Sequence, residues 1–185
     1  MPPVHIRPTS AAAIPNYAAS RLLLFLAATV GLIAVVGPPL ALAAGHPALA
    51  SVGYLFFSPI CHQIPDRTFH LAGYPLALCA RCFGLLLGVA AGAALSLFDR
   101  TKGRPLSEAR KWLLAAALLM LVDYGLPFVS PYRNTVFTRL ATGLLLGHLS
   151  VPYMIIGWAE LVAIIKNEGF PGLLRKKGLG GEITA

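Results

Sequence analysis

Charge is what this sequence has least of: Asp, Glu, Lys and Arg make up 12% of its 185 residues, and only seven of them are acidic. Average soluble chains are about 25% charged, so this one lacks the polar surface to cover a globule in water. Cysteine is scarce too. There are three, an odd number, so pairing any two leaves a third thiol over. No internal repeat of useful strength appears, and the first 20 residues, rich in Pro and Ala, have no apolar period. Residues 1–20 therefore read as a disordered or surface-lying arm.

What is abundant is apolar. Hydrophobic residues make up 57% of the chain, and the mean hydropathy is +0.72. Lipid is the natural solvent for such segments. The net charge of +8 could signal nucleic acid, because a basic surface attracts phosphate. Position decides against that reading. The lysines and arginines flank apolar runs of membrane length, as topology determinants and contacts to anionic headgroups do. The partner expected is the lipid bilayer with its anionic headgroups, met by the basic stretches 100–111 and 175–177, and no nucleic acid.

Four spans are expected. Residues 22–44 carry no charge and are long enough at 1.5 Å per residue to cross a hydrocarbon core of ~30 Å. Pro38 and Pro39 should kink or loosen the last turns. A secretory signal peptide competes for this run, since Arg21 precedes it and Ala41-Leu42-Ala43 resembles a cleavage site, but the run exceeds the usual apolar region of ~7–15 residues. Residues 45–73 hold an apolar patch, Leu55-Phe56-Phe57, that reads as interfacial or re-entrant. The remaining spans are placed at 75–98, 112–129 and 140–165. The fold class is thus all-α, an integral membrane four-helix bundle with a short element before the second span. Its parts are the arm 1–20, the membrane domain 21–166 and a basic cytoplasmic tail 167–185.

Counting Lys and Arg by side gives eleven on the face holding both termini and four (Arg67, Arg81, Arg133, Arg139) on the other, which accounts for all 15. The richer side is expected to be cytoplasmic. Gly84, Gly88 and Gly92 recur at every fourth residue of the second span, and Gly143 and Gly147 do so on the fourth. These read as faces where helix backbones approach closely.

With this topology the unusual polar residues converge on the outer face. Cys79 and Cys82, three residues apart, lie on one side of a helix. Adding Cys61 and His62 makes four soft or borderline ligands, a set suited to tetrahedral zinc and open to another transition metal such as copper. Adjacent side chains diverge in an extended segment, so a turn is needed for His62 to join Cys61; His70 is the substitute, and His148 a weaker one, more suited to a hydrogen bond within the bundle. Redox-active thiols, a structural disulfide or simple apolar packing remain alternatives. Asp123, a carboxylate inside a span, costs ~3 kcal/mol or more unless paired. Arg81 and Arg139 are its candidate partners.

The run Cys61-His62-Gln63, then Pro65-Asp66-Arg67-Thr68-Phe69, then Cys79-Ala80-Arg81-Cys82-Phe83-Gly84 with Gly88, resembles the membrane proteins grouped as domain-of-unknown-function family 2085. Asp123, Arg133-Asn134 and Arg139-Leu140-Ala141-Thr142-Gly143 are similar to that family's second half. The resemblance covers about residues 52 to 150. It implies a multi-span prokaryotic protein of the cytoplasmic membrane with Cys61, His62, Gln63, Arg67, Cys79, Arg81, Cys82, Asp123, Asn134 and Arg139 at motif positions, and it implies no activity.

Three functions are carried forward. The first is metal binding by Cys61, Cys79 and Cys82 with His62 or His70 as the fourth ligand, and Gln63, Arg67, Arg81, Asp123, Asn134 and Arg139 as a supporting polar network. The second is a thiol-disulfide oxidoreductase, since four spans with a C-x-x-C at the outer end of a helix are similar to quinone-coupled disulfide-forming enzymes; Arg81 between the cysteines favours thiolate. The third is a structural subunit with a membrane-protein partner or as a homo-oligomer.

Overall fold

The computed structural model describes residues 17–98 and 106–176, with side chains described for 17–98 and 109–162. Among them are five helices: α1 (Tyr17–Ala43), α2 (Pro47–Phe57), α3 (Ala80–Phe98), α4 (Leu106–Val129) and α5 (Val136–Lys176). Between α2 and α3 lie a single 3-10 turn (Pro65–Arg67) and a two-stranded hairpin, β1 (His70–Leu71) with β2 (Tyr74–Pro75). Four helices are long and apolar enough to span a bilayer: Tyr17–Ala43, Ala80–Phe98, Ala109–Val129 and Val136–Val162. The fold is therefore the all-α, four-span bundle the sequence implies, with α2 as its short extra element. Two boundaries differ from those read in the sequence. Residues 17–20 already belong to α1, and the backbone of α5 stays helical to Lys176, past residue 166. The rest of the arm, the tail from 177 and residues 100–105 of the basic stretch lie outside the described residues.

Polar main chain has no water to bond at membrane depth, so each interruption needs a partner. Pro38 and Pro39 lie inside α1, which continues through both of them to Ala43. Proline has no N–H, so Pro39 leaves the carbonyl four residues earlier, that of Val35, without its helical donor. Ala77 fills the gap, donating its N–H to Val35 O at 3.4 Å. Val35 and Ala77 are both fully buried. A proline in the first span thus creates the acceptor onto which the segment before α3 docks. Gly53 of α2 packs against the ring of Pro38, where an added Cβ would collide.

The closest seam lies between α3 and α5. Gly84 faces the carbonyl of Leu140 and Gly88 that of Leu144, while Gly143 faces the carbonyl of Arg81 and Gly147 that of Leu85. Contacts advance along both helices together, so α3 and α5 run parallel, with their N-termini side by side. Each glycine lies where a Cβ would collide with partner backbone, the approach small residues permit in membranes. A methyl at Gly92 would meet Val151 Cγ2 at 2.8 Å and His148 Nδ1 at 3.0 Å, which places His148 inside this seam. The helix α1 packs against α2, α3 and α5, and α4 packs against α5. Leu114, Leu118, Leu121 and Phe128 of α4 are exposed, as lipid-facing residues are.

Candidate metal centre

Cys61 reaches α3 because the chain reverses just after α2. The amides of Ile60 and Cys61 both donate to Phe57 O, at 3.2 and 3.1 Å, which closes a tight turn. Gln63 then adopts φ 51°, a left-handed conformation uncommon outside glycine. Its side chain compensates: Nε2 donates to Tyr54 O at 2.8 Å and to Ala77 O at 2.9 Å, tying α2 to the segment before α3. Tyr54 adds a second tie, its hydroxyl donating to Pro75 O at 2.6 Å. Burial raises the Tyr54 phenol pKa, which keeps that donor protonated. The hairpin turns through Ala72 and Gly73, with φ of 51° and 86°, the paired positive values that two-residue hairpin loops favour.

These ties bring Cys61, Cys79 and Cys82 together, with the three Sγ atoms within 4.8 Å of one another. All three are free thiols; Cys61 is buried and the other two are half-buried. Four ligands at ~2.3 Å from one tetrahedral centre stand roughly 3.8 Å apart, so the sulfurs are near the spacing a metal needs. Cys61 borders an apolar cluster with Val35, Phe57, Leu76, Ala77 and Leu78, and Cys79, Cys82 and Phe83 pack against it. Burial of one thiol there is ordinary packing. Convergence of three thiols from two segments is more than packing requires.

The Cys79 thiol is held down to about 5, chiefly by the hydrogen bond from Cys82; burial opposes this, and the backbone amide of Cys82, the Cys61 thiol and the amide of Arg81 add to the lowering. A thiolate at the start of a helix is the form that binds metal or attacks a disulfide. The histidines lie elsewhere. His62 and His70 are exposed, and neither belongs to the group formed by the sulfurs. Cys61 turns inward and its neighbour outward.

Beside the thiols lies the polar network. Arg81, in the first turn of α3, forms an ion pair with Asp123 of α4 at side-chain exposures of 13% and 8%. Asn134 Nδ2 donates to the backbone carbonyl of Asp123 at 3.0 Å and lies 3.5 Å from its Oδ2. Arg139 does not take the carboxylate; its Nε donates to Asn134 Oδ1 at 3.0 Å, and its Nη2 donates to the same oxygen. Arg67 and Arg133 are exposed. Two aromatic contributors escape a reading by charge and ligand type. The Arg81 guanidinium lies 5.5 Å from the ring centre of Tyr124, and Phe69 makes edge contacts with Phe83 and Phe137, each at 6.2 Å. Tyr124 follows the intramembrane Asp123 directly, the one sequence signal pointing to it.

Comparison with known proteins matches residues 61–165 to a family model described as predicted membrane protein, DUF2085. An uncharacterised protein of Methanocaldococcus jannaschii is 34% identical over 110 residues, 59% of this chain and 70% of that protein. An uncharacterised protein of Methanothermobacter thermautotrophicus is 32% identical over 115 residues, 60% of this chain and 91% of its own. No solved structure matches.

Proposed function

This chain belongs to the DUF2085 family of membrane proteins, and on that premise we propose that it is a membrane-embedded metal-binding protein whose thiolates Cys61, Cys79 and Cys82 hold a transition metal such as zinc. The observation that carries the reading is the convergence of three free thiols within 4.8 Å. Thiolate sulfur suits zinc and copper(I) and disfavours hard ions such as magnesium. His62 is the protein's candidate for the fourth position and His70 its substitute. With both exposed, the arrangement supports three fixed ligands and an open position, the pattern of metal transfer or catalysis rather than of a closed structural site. Gln63, Tyr54 and the Arg81–Asp123 pair position the elements that carry the sulfurs.

The site belongs on the extracytoplasmic side of a prokaryotic cytoplasmic membrane, with both termini inside. The excess of Lys and Arg on the terminal side supports this. The exposed apolar residues of α4 leave room for a second copy or a membrane-protein partner.

The lowered Cys79 thiol beside Cys82 supports a second reading, a thiol-disulfide oxidoreductase. Joining the Cys79 thiolate to the Cys82 thiol releases two electrons and one proton; a membrane quinone would take up both electrons together with that proton and a second one from water.

Metal analysis of anaerobically purified full-length protein, with thiol titration before and after chelator, separates the two. About one metal per chain, with three thiols that become reactive only after chelation, supports the first reading. Metal-free protein with a Cys79–Cys82 disulfide in air overturns it in favour of the second. His62→Ala and His70→Ala test the fourth position by the change in metal affinity.

A further inference from the structure

The outer ends of α3 and α5 carry the wrong charge for helix starts. A helix N-terminus is the positive end of its dipole and favours acidic neighbours. Neither α3 nor α5 has an acidic residue in its first turn. Arg81 occupies the first turn of α3 and Arg139 that of α5, and the glycine seam holds the two parallel N-termini together. Arg67 leaves the 3-10 turn two residues before Phe69, whose ring contacts Phe83 of α3 and Phe137 of α5, so this turn sits over the two helix starts, and Arg67 and Arg81 both act electrostatically on Arg139.

Neutralisation within the chain is incomplete. Asp123 is paired with Arg81, whereas Arg139 hydrogen-bonds the uncharged amide oxygen of Asn134 and meets Asp123 and Cys79 only through space. The Arg81 Nε is buried without a hydrogen-bond partner. Loading the thiols does not cancel the excess. A divalent ion on three thiolates leaves one negative charge, which with Asp66 and Asp123 makes three, against four guanidinium groups when Arg133, next to Asn134, is counted with Arg67, Arg81 and Arg139. The positive balance holds with or without a metal.

We infer that Arg67, Arg81 and Arg139, at the paired N-termini of α3 and α5, form a binding site for a phosphate group. A guanidinium has five N–H donors, so Arg81 and Arg139 can keep Asp123 and Asn134 and still offer phosphate their remaining N–H groups, and three such cations from separate segments suit a tetrahedral oxyanion better than a planar carboxylate. The outer ends of spans lie at headgroup level, so the phosphate comes either from the diester of an anionic lipid or from a soluble phosphate. This site does not depend on the metal reading, and metal content does not test it.

The experiment uses full-length protein in a neutral detergent. Its thermal midpoint is followed during titration with inorganic phosphate in one arm and short-chain phosphatidylglycerol in the other, with phosphatidylcholine as control. A saturable rise is expected in at least one arm. Response to inorganic phosphate identifies a soluble ligand, and response to phosphatidylglycerol but to neither of the others identifies an anionic lipid. Arg139→Gln should weaken the apparent affinity roughly ten-fold or more, as loss of a charge-assisted hydrogen bond does. Arg67→Gln should weaken it too, and because Arg67 is exposed that variant keeps the test valid if Arg139→Gln misfolds. No saturable rise in either arm, or a rise that Arg67→Gln leaves unchanged, overturns the inference.

Discussion

The backbone N–H of Cys79 donates to the sulfur of Cys61 at 3.2 Å, so the residue immediately before α3 is held by a thiol from the preceding turn. Cys61 is therefore both a candidate ligand and part of the scaffold that sets where α3 begins. Cys61→Ala, which leaves the Cys79 N–H without its acceptor, should abolish metal binding and also lower the thermal midpoint in metal-free protein. Cys82→Ala should abolish binding with a smaller effect on the metal-free midpoint. Metal content and melting of both variants, measured side by side, check this; equal midpoints would remove the scaffolding role.

Asp123→Asn leaves Arg81 facing a neutral group at membrane depth. Breaking a buried pair by removing one partner typically costs ~3–5 kcal/mol. The double variant Arg81→Gln/Asp123→Asn should recover part of that loss. A double-mutant cycle by chemical denaturation in micelles reads the coupling, and strict additivity of the two single effects would show that the pair contributes nothing of its own.

Gly88→Ala and Gly143→Ala should each destabilise the bundle by about 1–3 kcal/mol, the usual cost of overpacking, because their new methyls meet partner carbonyls. Gly125→Ala is the control. Nothing lies within 4 Å of its added Cβ, so it should be neutral or slightly stabilising. If all three behave alike, close backbone approach is not what holds α3 to α5.

A compartment reporter inserted beside Asp66, in the exposed 3-10 turn, should be active only outside the cytoplasm, and fusions at either terminus only inside. Cytoplasmic activity at Asp66 would reverse the assigned orientation.

The spans were legible because charge-free runs of membrane length admit few structures, and the short apolar patch 55–57 announced α2, whose last residues it forms. The glycine spacing showed which faces pack, and the cost of an intramembrane carboxylate showed that Asp123 needs a partner. What the sequence left open were choices between equivalent partners. Arg81 rather than Arg139 takes Asp123, because Asn134 occupies Arg139. The grouping of Cys61 with Cys79 and Cys82 is legible from ligand type and topology, but the clamp enforcing it, Gln63 between Tyr54 O and Ala77 O, depends on an unusual backbone angle that no periodicity reports. The β1–β2 hairpin went unread, since two-residue strands have no pattern to detect.

The parallel pairing of α3 with α5 has a consequence for how the protein is made. The helices are separated in sequence by α4, so during synthesis α3 enters the bilayer two spans before the helix that covers its glycine face. Until then Gly84, Gly88 and Gly92 offer lipid or any passing helix a groove with no side chains to fill it. The tightest seam of the finished bundle is the last that the ribosome allows to close, and a chain arrested after Val129 would display it open.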